Sequence, residues 1–359
     1  MLSIKRQDIF SYNLPQDKIA QRPVYPYDSA KLLVCDKNTN IVKESAFSNI
    51  SDYLSCNDLI IFNNTKVIPA RFLGHIEREG ELGAKAEILL LKKINENLWE
   101  ALGKPFKKFK AGTKIIVDEN LSLKIEKILD NAKVIISFIT YNEKSIFEKG
   151  IMPIPPYIRK GISDKQDRVD YQTNFAKIDG SVAAPTASLH FTKGLLEKIE
   201  KKGVKKEFIT LHVGTPSFLP LWQNDDESNN DMNVSALPGE EFYIYSKNVI
   251  QKIKDTKENG GKVIAVGTTV IRALESMALN TDGVDGEFYS TSLFISPGFE
   301  FKFVDTMVTN FHQPATSHIL LVQAFMGKDL LQKSYTFALE NNFRFLSYGD
   351  GMIVGDGVI

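Results

Sequence analysis

Cysteine is scarce in the sequence, and long apolar runs are absent. The 359 residues include only two cysteines, Cys35 and Cys56, which form no CxxC motif. Two cysteines cannot frame a small disulfide-rich secreted scaffold, and their scarcity favours a reduced, cytoplasmic setting. The first residues are polar and predict no signal peptide, and no segment reaches the roughly 18 apolar residues of a transmembrane helix. We therefore expect a cytoplasmic protein with no membrane partner.

The sequence also lacks an excess of charge of one sign, and it lacks the familiar nucleotide-binding and metal-binding motifs. Lysines and arginines number 44, as do aspartates and glutamates, so the formal net charge is zero. This balance excludes a generally basic nucleic-acid coat protein but not a local basic face. The sequence contains no GxxxxGK[ST], no GxGxxG after a strand and no HExxH. The five histidines are scattered without metal-ligand spacing, so we expect no structural metal site.

Length and pattern predict two domains. Dividing 359 residues by about 150 per domain gives roughly two. Between 66 and 150 short β patterns follow one another closely, which is typical of a small antiparallel barrel or sandwich. From 180 onward helices and strands alternate, as in α/β proteins. The predicted fold class is a large α/β domain, made of 1–65 and 151–359, with a small antiparallel β domain inserted at 66–150.

Local signals place several elements within this plan. The segment 58–77 is the strongest early β pattern, and Pro69 permits only an edge or a bend there. Thr192 is suited to cap a helix that Gly203 ends, and Ser246 to cap a second helix.

The loop 180–192, GSVAAPTASLHFT, is a first candidate for chemistry. Its small residues allow backbone N–H groups to approach a ligand closely, and a capped helix follows. His190 at its far end is suited to general acid or base catalysis at neutral pH. Composition alone favours the plainer alternative, a tight turn with a histidine bonded to the backbone.

The segment 263–276, VIAVGTTVIRALES, is a second candidate. A glycine and two threonines, Thr268 and Thr269, lead from an apolar strand into a helix. The N–H groups at such a helix start hold a carboxylate or phosphate well. An ordinary capped helix, in which Arg272 and Glu275 pair at i, i+3, is an equally good interpretation.

The segments 308–321 and 343–354 embed polar residues among apolar ones. Buried polar groups need partners, so their cluster indicates either a binding site or a hydrogen-bond network that locks this part of the chain. These polar residues are Asn310, His312, Arg344, Tyr348 and Asp350.

The segment 104–114, KPFKKFKAGTK, interleaves five lysines with Phe106 and Phe109. An alternating strand would turn the lysines toward solvent, where they can meet phosphates. The alternative is an ordinary solvated strand face, and the phenylalanines are expected in the core. KKGVKK at 201–206 is a weaker basic patch.

Several motifs together resemble the S-adenosylmethionine:tRNA ribosyltransferase-isomerases of queuosine biosynthesis, in that family's order and over nearly the whole chain. The matching segments are LPQDKIAQRPVYPYDSAKLL (14–33), IFNNTKVIPARF (61–72), GIMPIPPYIRK (150–160), DYQTNFA (170–176), GSVAAPTASLHFT (180–192), ITLHVG (209–214), VIAVGTTVIRALES (263–276), FISPGFEFKFVDTMVTNFH (294–312) and FRFLSYGDGMI (343–353).

The resemblance implies a fold, a reaction and partners. The fold is a large α/β domain carrying an inserted small β-barrel. The reaction transfers and isomerises the ribosyl part of S-adenosylmethionine to 7-aminomethyl-7-deazaguanine at the wobble position of tRNA, giving epoxyqueuosine-tRNA, adenine and methionine. S-adenosylmethionine is then a co-substrate. No permanently bound cofactor and no metal are implied, and the expected protein is a cytoplasmic monomer.

Together with the local signals described above, this reaction leads us to predict residue roles. His190 and His312 are predicted to share the acid and base steps. Predicted substrate-binding residues are Lys66, Arg71, Tyr171, Gln172, Thr186, Thr268, Thr269, Arg272, Asn310, Tyr348 and Asp350. Predicted tRNA-binding residues are Lys104, Lys107, Lys108, Lys110 and Lys114.

The chain departs from the family's pattern at several places. Charged or titratable groups are lost there, which motivates two alternatives: a diverged paralogue that binds S-adenosylmethionine or RNA without the transfer, and an inactive scaffold for other tRNA-modifying enzymes. The departures are Tyr27 for Arg, Asn64 for Asp, Asp170 for Arg, Ser188 for Gly, TPSF at 215–218, a segment 231–242 without histidine, and Ala315-Thr316-Ser317 for Lys-Ser-Thr.

Overall fold

The computed structural model describes residues 8–130, 132–139, 143–213, 221, 239–279 and 289–359. The chain forms two compact units. The large unit comprises Met1–Thr65, Thr173–Ile178 and Pro185–Ile359, and the barrel unit comprises Lys66–Gln172 and Asp179–Ala184.

The described residues form strands and helices in the following order. The strands are β1 (Lys31–Asp36), β2 (Ile41–Ala46), β3 (Leu59–Asn63), β4 (Thr65–Val67), β5 (Arg71–Arg78), β6 (Glu81–Lys93), β7 (Leu98–Lys104), β8 (Lys114–Asp118), β9 (Leu121–Ile128), β10 (Lys133–Phe138), β11 (Ile178–Ser181), β12 (Lys205–Leu211), β13 (Glu241–Ile244), β14 (Val263–Val266), β15 (Tyr289–Thr291), β16 (Thr306–Asn310) and β17 (Gly351–Gly355). The helices are α1 (Glu143–Lys149), α2 (Asp167–Asp170), α3 (Lys193–Lys201), α4 (Lys247–Glu258), α5 (Thr268–Leu279), α6 (Ser317–Met326) and α7 (Lys328–Glu340). Within the described ranges, none of these helices is long and apolar enough to cross a membrane.

A mixed sheet of nine strands organises the large unit, in the order β15-β13-β12-β3-β14-β16-β17-β1-β2. Strands β12, β3, β14 and β16 run parallel to one another. Strand β17 is antiparallel to β16 and parallel to β1. The apolar β3 and β14 are buried along their whole length, as expected of parallel strands covered on both faces.

The helix signals of the large unit are confirmed. The Thr192 hydroxyl oxygen accepts a hydrogen bond from the backbone nitrogen of Leu195, 3.1 Å away, at the start of α3. The Ser246 hydroxyl oxygen accepts one from Asn248, 3.2 Å away, at the start of α4. Each cap satisfies a backbone donor that a helix start leaves open, so the caps fix where these helices begin.

A closed antiparallel barrel of six strands, in the order β10-β7-β6-β5-β8-β9, organises the other unit. The predicted fold class, an α/β domain together with a small antiparallel barrel, is confirmed. Alternate residues of the strands fill the barrel with apolar side chains, including Phe72, Ile88 and Ile125. Gly103 allows this packing, because a Cβ there would lie 2.5 Å from the Phe109 ring.

The barrel unit runs further along the chain than the predicted segment 66–150. The backbones of Arg71 and Ile151 bond to each other, and the Arg71 guanidinium donates to the carbonyl of Gly161. The side-chain amide of Gln172 bonds both backbone groups of Val67, at 3.0 and 3.1 Å. These long-range bonds hold the residues after 150 to the barrel, and a local pattern could not reveal them.

The lysine segment is not the alternating strand that the pattern predicts. Phe106–Lys108 form a 3-10 turn, closed by a bond of 3.0 Å from the nitrogen of Phe109 to the oxygen of Phe106. A 3-10 turn has about three residues per turn, so residues three apart share a face. Phe109 is buried in the barrel core and Phe106 packs against it, which confirms both as core residues.

Candidate active site

The edge of the large sheet where the parallel strands end gathers polar residues. Asn63 ends β3 and Asn310 ends β16, while Gly267 follows β14 and His212 follows β12. Because these four strands are parallel, their carboxyl ends lie at the same edge. Ligands of open α/β sheets bind outside such carboxyl ends, so this edge is the candidate site.

A small pocket lies at the start of α5, and we call it the threonine pocket. Gly267 leads into it with φ of +97°, in the left-handed region that favours glycine. Thr268, Thr269, Arg272 and His318 line it, together with Ser317 and three apolar residues. The predicted grouping of two threonines with Arg272 at a helix start is thus present in the structure.

Arg272 brings a buried positive charge to the threonine pocket. Its guanidinium pairs with Glu241, and its Nε donates to the carbonyl of Leu293, 3.0 Å away. The remaining Nη2 atom is buried and has no hydrogen-bond partner among the described residues. A buried donor without a partner is costly, so this atom is suited to receive an anionic ligand.

The interpretation that Arg272 and Glu275 simply pair on one helix face is wrong. Glu275 instead accepts hydrogen bonds from the backbone nitrogens of Lys302, Phe303 and Val304, at 2.8 to 3.1 Å. Burial raises the pKa of the Glu275 carboxyl, and these three bonds oppose the change. Glu275 therefore does not pair with Arg272, and the carboxylate that balances the charge of Arg272 is Glu241.

A fully buried asparagine ties the pocket to the neighbouring strands, and sequence reasoning missed it. The Asn63 amide nitrogen donates to the carbonyl of Leu211 at 2.9 Å and lies 3.5 Å from the Thr269 hydroxyl. Its amide oxygen accepts from the backbone nitrogen of Thr65, at 3.0 Å. The Thr65 hydroxyl lies 2.8 Å from Nδ1 of His212. Its sequence signals were its place after the apolar run 59–62 and within the matching segment 61–72.

His190 closes the 3-10 turn Thr186–His190 and is 5% exposed. Its ring stacks on Phe47, with the ring centroids 4.5 Å apart. Its Nδ1 lies 3.4 Å from the carbonyl oxygen of Tyr27, and its Nε2 lies 3.2 Å from the amide nitrogen of Asn310. Because an amide nitrogen only donates, Nε2 accepts and Nδ1 carries the proton. Both ring nitrogens are therefore engaged.

Burial lowers the pKa of His190 from its ordinary value of 6.5 to about 4. The hydrogen bond to the Tyr27 carbonyl opposes this change, and the positive charge of Arg344 adds to it. The imidazole is therefore neutral at pH 7, which suits a proton acceptor or a hydrogen-bonding group.

A second small pocket, which we call the tyrosine pocket, lies beside His190. Tyr27, Leu189 and Tyr348 line it with His190, together with Pro23, Val24 and Ser347. The structure thus brings together two predicted site residues, His190 and Tyr348, that are far apart in sequence.

The Asn310 side chain makes hydrogen bonds with three predicted residues: His190, Thr186 and Asp350. Its amide oxygen accepts from the Thr186 hydroxyl at 2.8 Å, and its amide nitrogen lies 3.4 Å from the carbonyl oxygen of Asp350. The Asp350 carboxylate accepts from the backbone nitrogens of Lys31 and Arg344, at 3.0 and 2.7 Å. Burial raises the pKa of the Asp350 carboxyl. Its carboxylate thus holds the chain entering β17, as in the predicted hydrogen-bond network.

His312, the second predicted acid or base, lies two residues beyond β16. Its Nε2 is 2.9 Å from the Thr309 hydroxyl, and its backbone nitrogen donates to the Tyr335 hydroxyl at 2.9 Å. Its ring stacks on His318, with centroids 5.1 Å apart, and His318 lines the threonine pocket. Burial, with His318 beside it, holds the pKa of His312 well below its ordinary value.

Four predicted substrate-binding residues lie in the barrel unit. Lys66 pairs with Asp179 at 3.0 Å, and the Nε atom of Arg71 lies 2.8 Å from Glu87. Tyr171 is fully buried, and the amide of Gln172 bonds the backbone as described above. The predicted set is therefore divided between the two units, and its binding role stays a prediction.

The predicted tRNA-binding lysines lie around the connection from β7 to β8. Lys104, Lys107, Lys108 and Lys110 are exposed, whereas Lys114 pairs with Glu77 at 2.8 Å. The exposed lysines have no ion pair with the described residues, so their charge is available to a polyanion.

The described part of the chain contains no group of three or more His, Cys, Asp or Glu side chains arranged to hold a metal ion.

The departures from the family's pattern occupy different surroundings. Tyr27 lines the tyrosine pocket, and Ser188 is buried in the turn that carries His190. Asp170 accepts from the side chain of Gln166 at 2.9 Å. Residues 215–218 lie outside the described residues, as does 231–242 except for its last four positions.

Comparisons with known proteins agree on one family. A family model described as "Queuosine biosynthesis protein" matches residues 7–354. Among curated proteins, the S-adenosylmethionine:tRNA ribosyltransferase-isomerase of Thermoanaerobacter sp. (strain X514) is 42% identical over 356 residues, covering 98% of this chain and 100% of that protein. The protein of the same name from Thermotoga maritima is 40% identical over 346 residues, covering 96% and 98%.

A solved structure gives the same result. The crystal structure of S-adenosylmethionine tRNA ribosyltransferase from Thermotoga maritima matches with a TM-score of 0.53 and 35% identity, covering 96% of this chain and 99% of that one.

Proposed function

Because the chain belongs to the family of queuosine biosynthesis proteins, we propose that it transfers and isomerises the ribosyl part of S-adenosylmethionine onto tRNA. The acceptor is the aminomethyl group of 7-aminomethyl-7-deazaguanine at the wobble position, and the products are epoxyqueuosine-tRNA, adenine and methionine. The observation that carries the proposal is the extent of the match, 42% identity over 98% of the chain to a protein named for this activity.

The direct test supplies S-adenosylmethionine and tRNA that carries the deazaguanine precursor. Release of adenine, together with the appearance of epoxyqueuosine in digested tRNA, is the expected result. Absence of both with the correct tRNA would exclude the activity.

The sulfonium of S-adenosylmethionine acidifies the hydrogens on its 5′ carbon, which opens the reaction to acid–base catalysis. A base removes one proton, adenine departs with a proton, the acceptor amine attacks the sugar, and methionine leaves as its bond to the 5′ carbon breaks. The enzyme must position these groups and exclude water. His190 and His312, both in the large unit, are the proposed acid and base.

The methionine end of the donor is proposed to bind in the threonine pocket. Its carboxylate would accept from the Thr268 and Thr269 hydroxyls, from N–H groups at the start of α5 and from Nη2 of Arg272. A helix start favours negative charge, and the unpartnered guanidinium nitrogen adds a charged donor.

Changing both Thr268 and Thr269 to Val is expected to weaken donor binding. Valine keeps the shape of threonine and removes each hydroxyl, and a hydrogen bond to a charged group contributes about 1.5–3 kcal/mol. The loss should be a few kcal/mol at most, measured by calorimetric titration with S-adenosylmethionine. The matched control is Thr336→Val on the exposed face of α7. Equal affinity of the double variant and the control would refute this placement.

Replacing Lys107, Lys108 and Lys110 by Gln is expected to weaken tRNA binding and flatten its dependence on salt. Lysine contacts to phosphates release counterions, so each lost contact lowers the slope of log affinity against log salt by about 0.7–0.9. Donor affinity should not change, since the donor site is placed in the large unit.

The control for the lysine variant changes three exposed lysines of the large unit, Lys43, Lys254 and Lys328, to Gln. It alters the net charge equally. If both triple variants bind tRNA as wild type does across a salt titration, the lysine segment 104–114 is only a solvated surface. Lys201, Lys202, Lys205 and Lys206 would then be the next set to change.

A diverged paralogue that binds S-adenosylmethionine or RNA without the transfer is the second candidate function. The placement of two departures, Tyr27 and Ser188, beside His190 favours it. A rise in melting temperature with saturating S-adenosylmethionine, without adenine release, would support this candidate. Absence of any rise would favour an inactive scaffold.

A further inference from the structure

We propose that Asn310 is a positioning residue that holds the His190 ring with its proton on Nδ1 and keeps Nε2 as the atom that accepts a proton. The inference rests on the proposed function, because it makes His190 the base of the transfer. Asn310 is predicted from the sequence to bind substrate, and its surroundings assign it to this different task.

The Asn310 side chain directs its polar atoms to the protein itself. Asn310 is 2% exposed. Its amide nitrogen lies 3.2 Å from Nε2 of His190 and 3.4 Å from the carbonyl oxygen of Asp350, and its amide oxygen accepts from the Thr186 hydroxyl at 2.8 Å. Both N–H groups of a buried amide are then in use, and neither is left for a substrate.

The backbone fixes Asn310 against the residues that it bonds. In the ladder between β16 and β17, Asn310 pairs with Gly351, which brings the carbonyl of Asp350 within reach. Thr186 begins and His190 ends one 3-10 turn, so the amide bonds both ends of the same turn. The position of the His190 ring is therefore tied to the end of β16.

The neighbours of His190 select one tautomer. The Tyr27 carbonyl, 3.4 Å from Nδ1, only accepts hydrogen bonds, and the Asn310 amide nitrogen at Nε2 only donates them. A proton on Nε2 would set N–H against N–H at Asn310 and a lone pair against the carbonyl oxygen of Tyr27. Both contacts therefore favour a neutral ring with its proton on Nδ1.

The charges around His190 favour the neutral ring as well. Burial is the main cause of the lowered pKa of His190, and the positive charge of Arg344 adds to it. The carboxylate of Asp350 lies 3.7 Å from Arg344 and accepts from two backbone nitrogens, so its charge is balanced there. The titratable side chains on the segments packed around His190 are Tyr27, Asp28, Arg344, Tyr348 and Asp350.

The turn that carries His190 lies beside the start of α5, where the donor is proposed to bind. A Cβ added to Gly267 would lie 3.9 Å from the Cβ of Ala187, a residue of this turn. A neutral histidine there can accept a proton at pH 7 but has no readily lost proton to give, which suits a base. The proton that leaves the 5′ carbon bonds to the Nε2 lone pair, and its electron pair stays on carbon. The departing adenine later takes this proton.

The Asn310 amide can serve the protonated ring too. Proton uptake at Nε2 replaces the bond that Asn310 donates. A half turn of the amide then presents its oxygen to Nε2–H, and its nitrogen donates to the Thr186 hydroxyl, which accepts as well as it donates. Only the long contact with the Asp350 carbonyl is lost. Asn310 therefore favours the neutral ring at rest and still allows it to accept a proton.

Nitrogen NMR of the full chain with isotope-labelled histidine rings tests the tautomer directly, because protonated and unprotonated ring nitrogens resonate far apart. His190→Gln identifies the His190 signals by their loss. At pH 7 we expect a proton on Nδ1 and none on Nε2. A proton on Nε2 of His190 in the wild-type protein overturns the inference, whatever the activity of the enzyme.

Asn310→Asp tests the role of the amide, because a carboxylate has the size of the amide but only accepts hydrogen bonds. It should draw the ring proton to Nε2 and tighten proton binding by His190 roughly 10–1000-fold. The value of kcat for adenine release should fall by roughly 10²–10⁴-fold. Alkaline pH should not restore it, since the neutral ring keeps its proton on Nε2. The control Asn248→Asp adds the same charge at the exposed start of α4 and should behave as wild type.

KM for S-adenosylmethionine separates positioning from substrate binding. If Asn310 positions His190, KM in Asn310→Asp stays within a few-fold of wild type while kcat falls. A raised KM at unchanged kcat shows a binding residue and overturns the inference. An active wild type whose Asn310→Asp variant keeps the wild-type kcat also overturns it and leaves the proposed function standing.

Thr186→Val is the second variant, for use if Asn310→Asp fails to fold. It keeps the shape of the side chain and removes the hydroxyl that holds the amide oxygen. It should lower kcat by roughly 2–10-fold at unchanged KM, as expected for one lost hydrogen bond, and an unchanged kcat overturns the inference. An inactive wild type overturns the proposed function and the base role of His190 with it, whereas the NMR spectrum still decides the tautomer.

Discussion

Replacing His190 by Gln is expected to lower the rate of adenine release by roughly 10²–10⁴-fold, the range for loss of an acid or base. Glutamine preserves the neutral contacts, since its amide can donate to the Tyr27 carbonyl and accept from Asn310. The fold should therefore survive, and the rate should fall because the amide cannot exchange a proton. Single-turnover kinetics with precursor tRNA, alongside melting curves, would separate the two effects.

The same variant should change how stability depends on pH. The pKa of His190 falls from 6.5 to about 4 on folding, so the unfolded chain binds the proton more tightly. Stability from the neutral histidine is complete above about pH 6.5 and is lost as pH falls toward 4, by about 3 kcal/mol in all. Urea unfolding between pH 4 and 7 should show this loss in wild type and not in the Gln variant. A stable, active variant with the wild-type slope would exclude both a catalytic and a buried structural role.

The helices of the large unit were predictable because their signals are local. Thr192 and Ser246 each satisfy a backbone donor of the helix that follows, and the structure places both caps as predicted. Apolar β-branched runs likewise revealed β3 and β14, since buried parallel strands need no alternation.

The division of the segment 58–77 was not predictable. Pro69 indicated a bend, but the pattern does not say that β3 pairs with β12 and β14 while β5 pairs with β6 and β8. Strand partners are chosen by contacts between residues far apart in sequence. The barrel's extension beyond 150 has the same origin, since Arg71 and Gln172 make those contacts with their side chains.

In the candidate site, too, local features were predictable from the sequence and long-range contacts were not. The glycine and threonines at 267–269 predict the start of a helix, and the N–H groups of a helix start bind anions. The partner of Arg272 could not be read from its own helix, because the i, i+3 carboxylate is used by the backbone of 302–304 and Glu241 comes from another strand. His212 stands in the matching segment 209–214, but its contact with Thr65 could not be predicted, since the sheet brings Asn63 and Thr65 beside it.

Changing Arg272 to Met is expected to destabilise the protein by about 3–5 kcal/mol, the range for removing one partner of a buried ion pair. Its side chain is 8% exposed and that of Glu241 is 3% exposed, so the change leaves a carboxylate buried without its counter-ion. Urea unfolding at neutral pH measures this loss.

The double variant Arg272→Met with Glu241→Met separates the structural effect of Arg272 from its effect on binding. Replacing a buried ion pair by apolar residues of similar size is often neutral for stability, so the double variant should recover most of the stability that the single change loses. Donor affinity should not recover with it, because the guanidinium of Arg272, a residue that lines the threonine pocket, is still missing. Calorimetric titration with S-adenosylmethionine on the refolded double variant tests this. Wild-type affinity there would show that Arg272 only balances Glu241, and the methionine carboxylate would have to be bound by the threonines and the start of α5 alone.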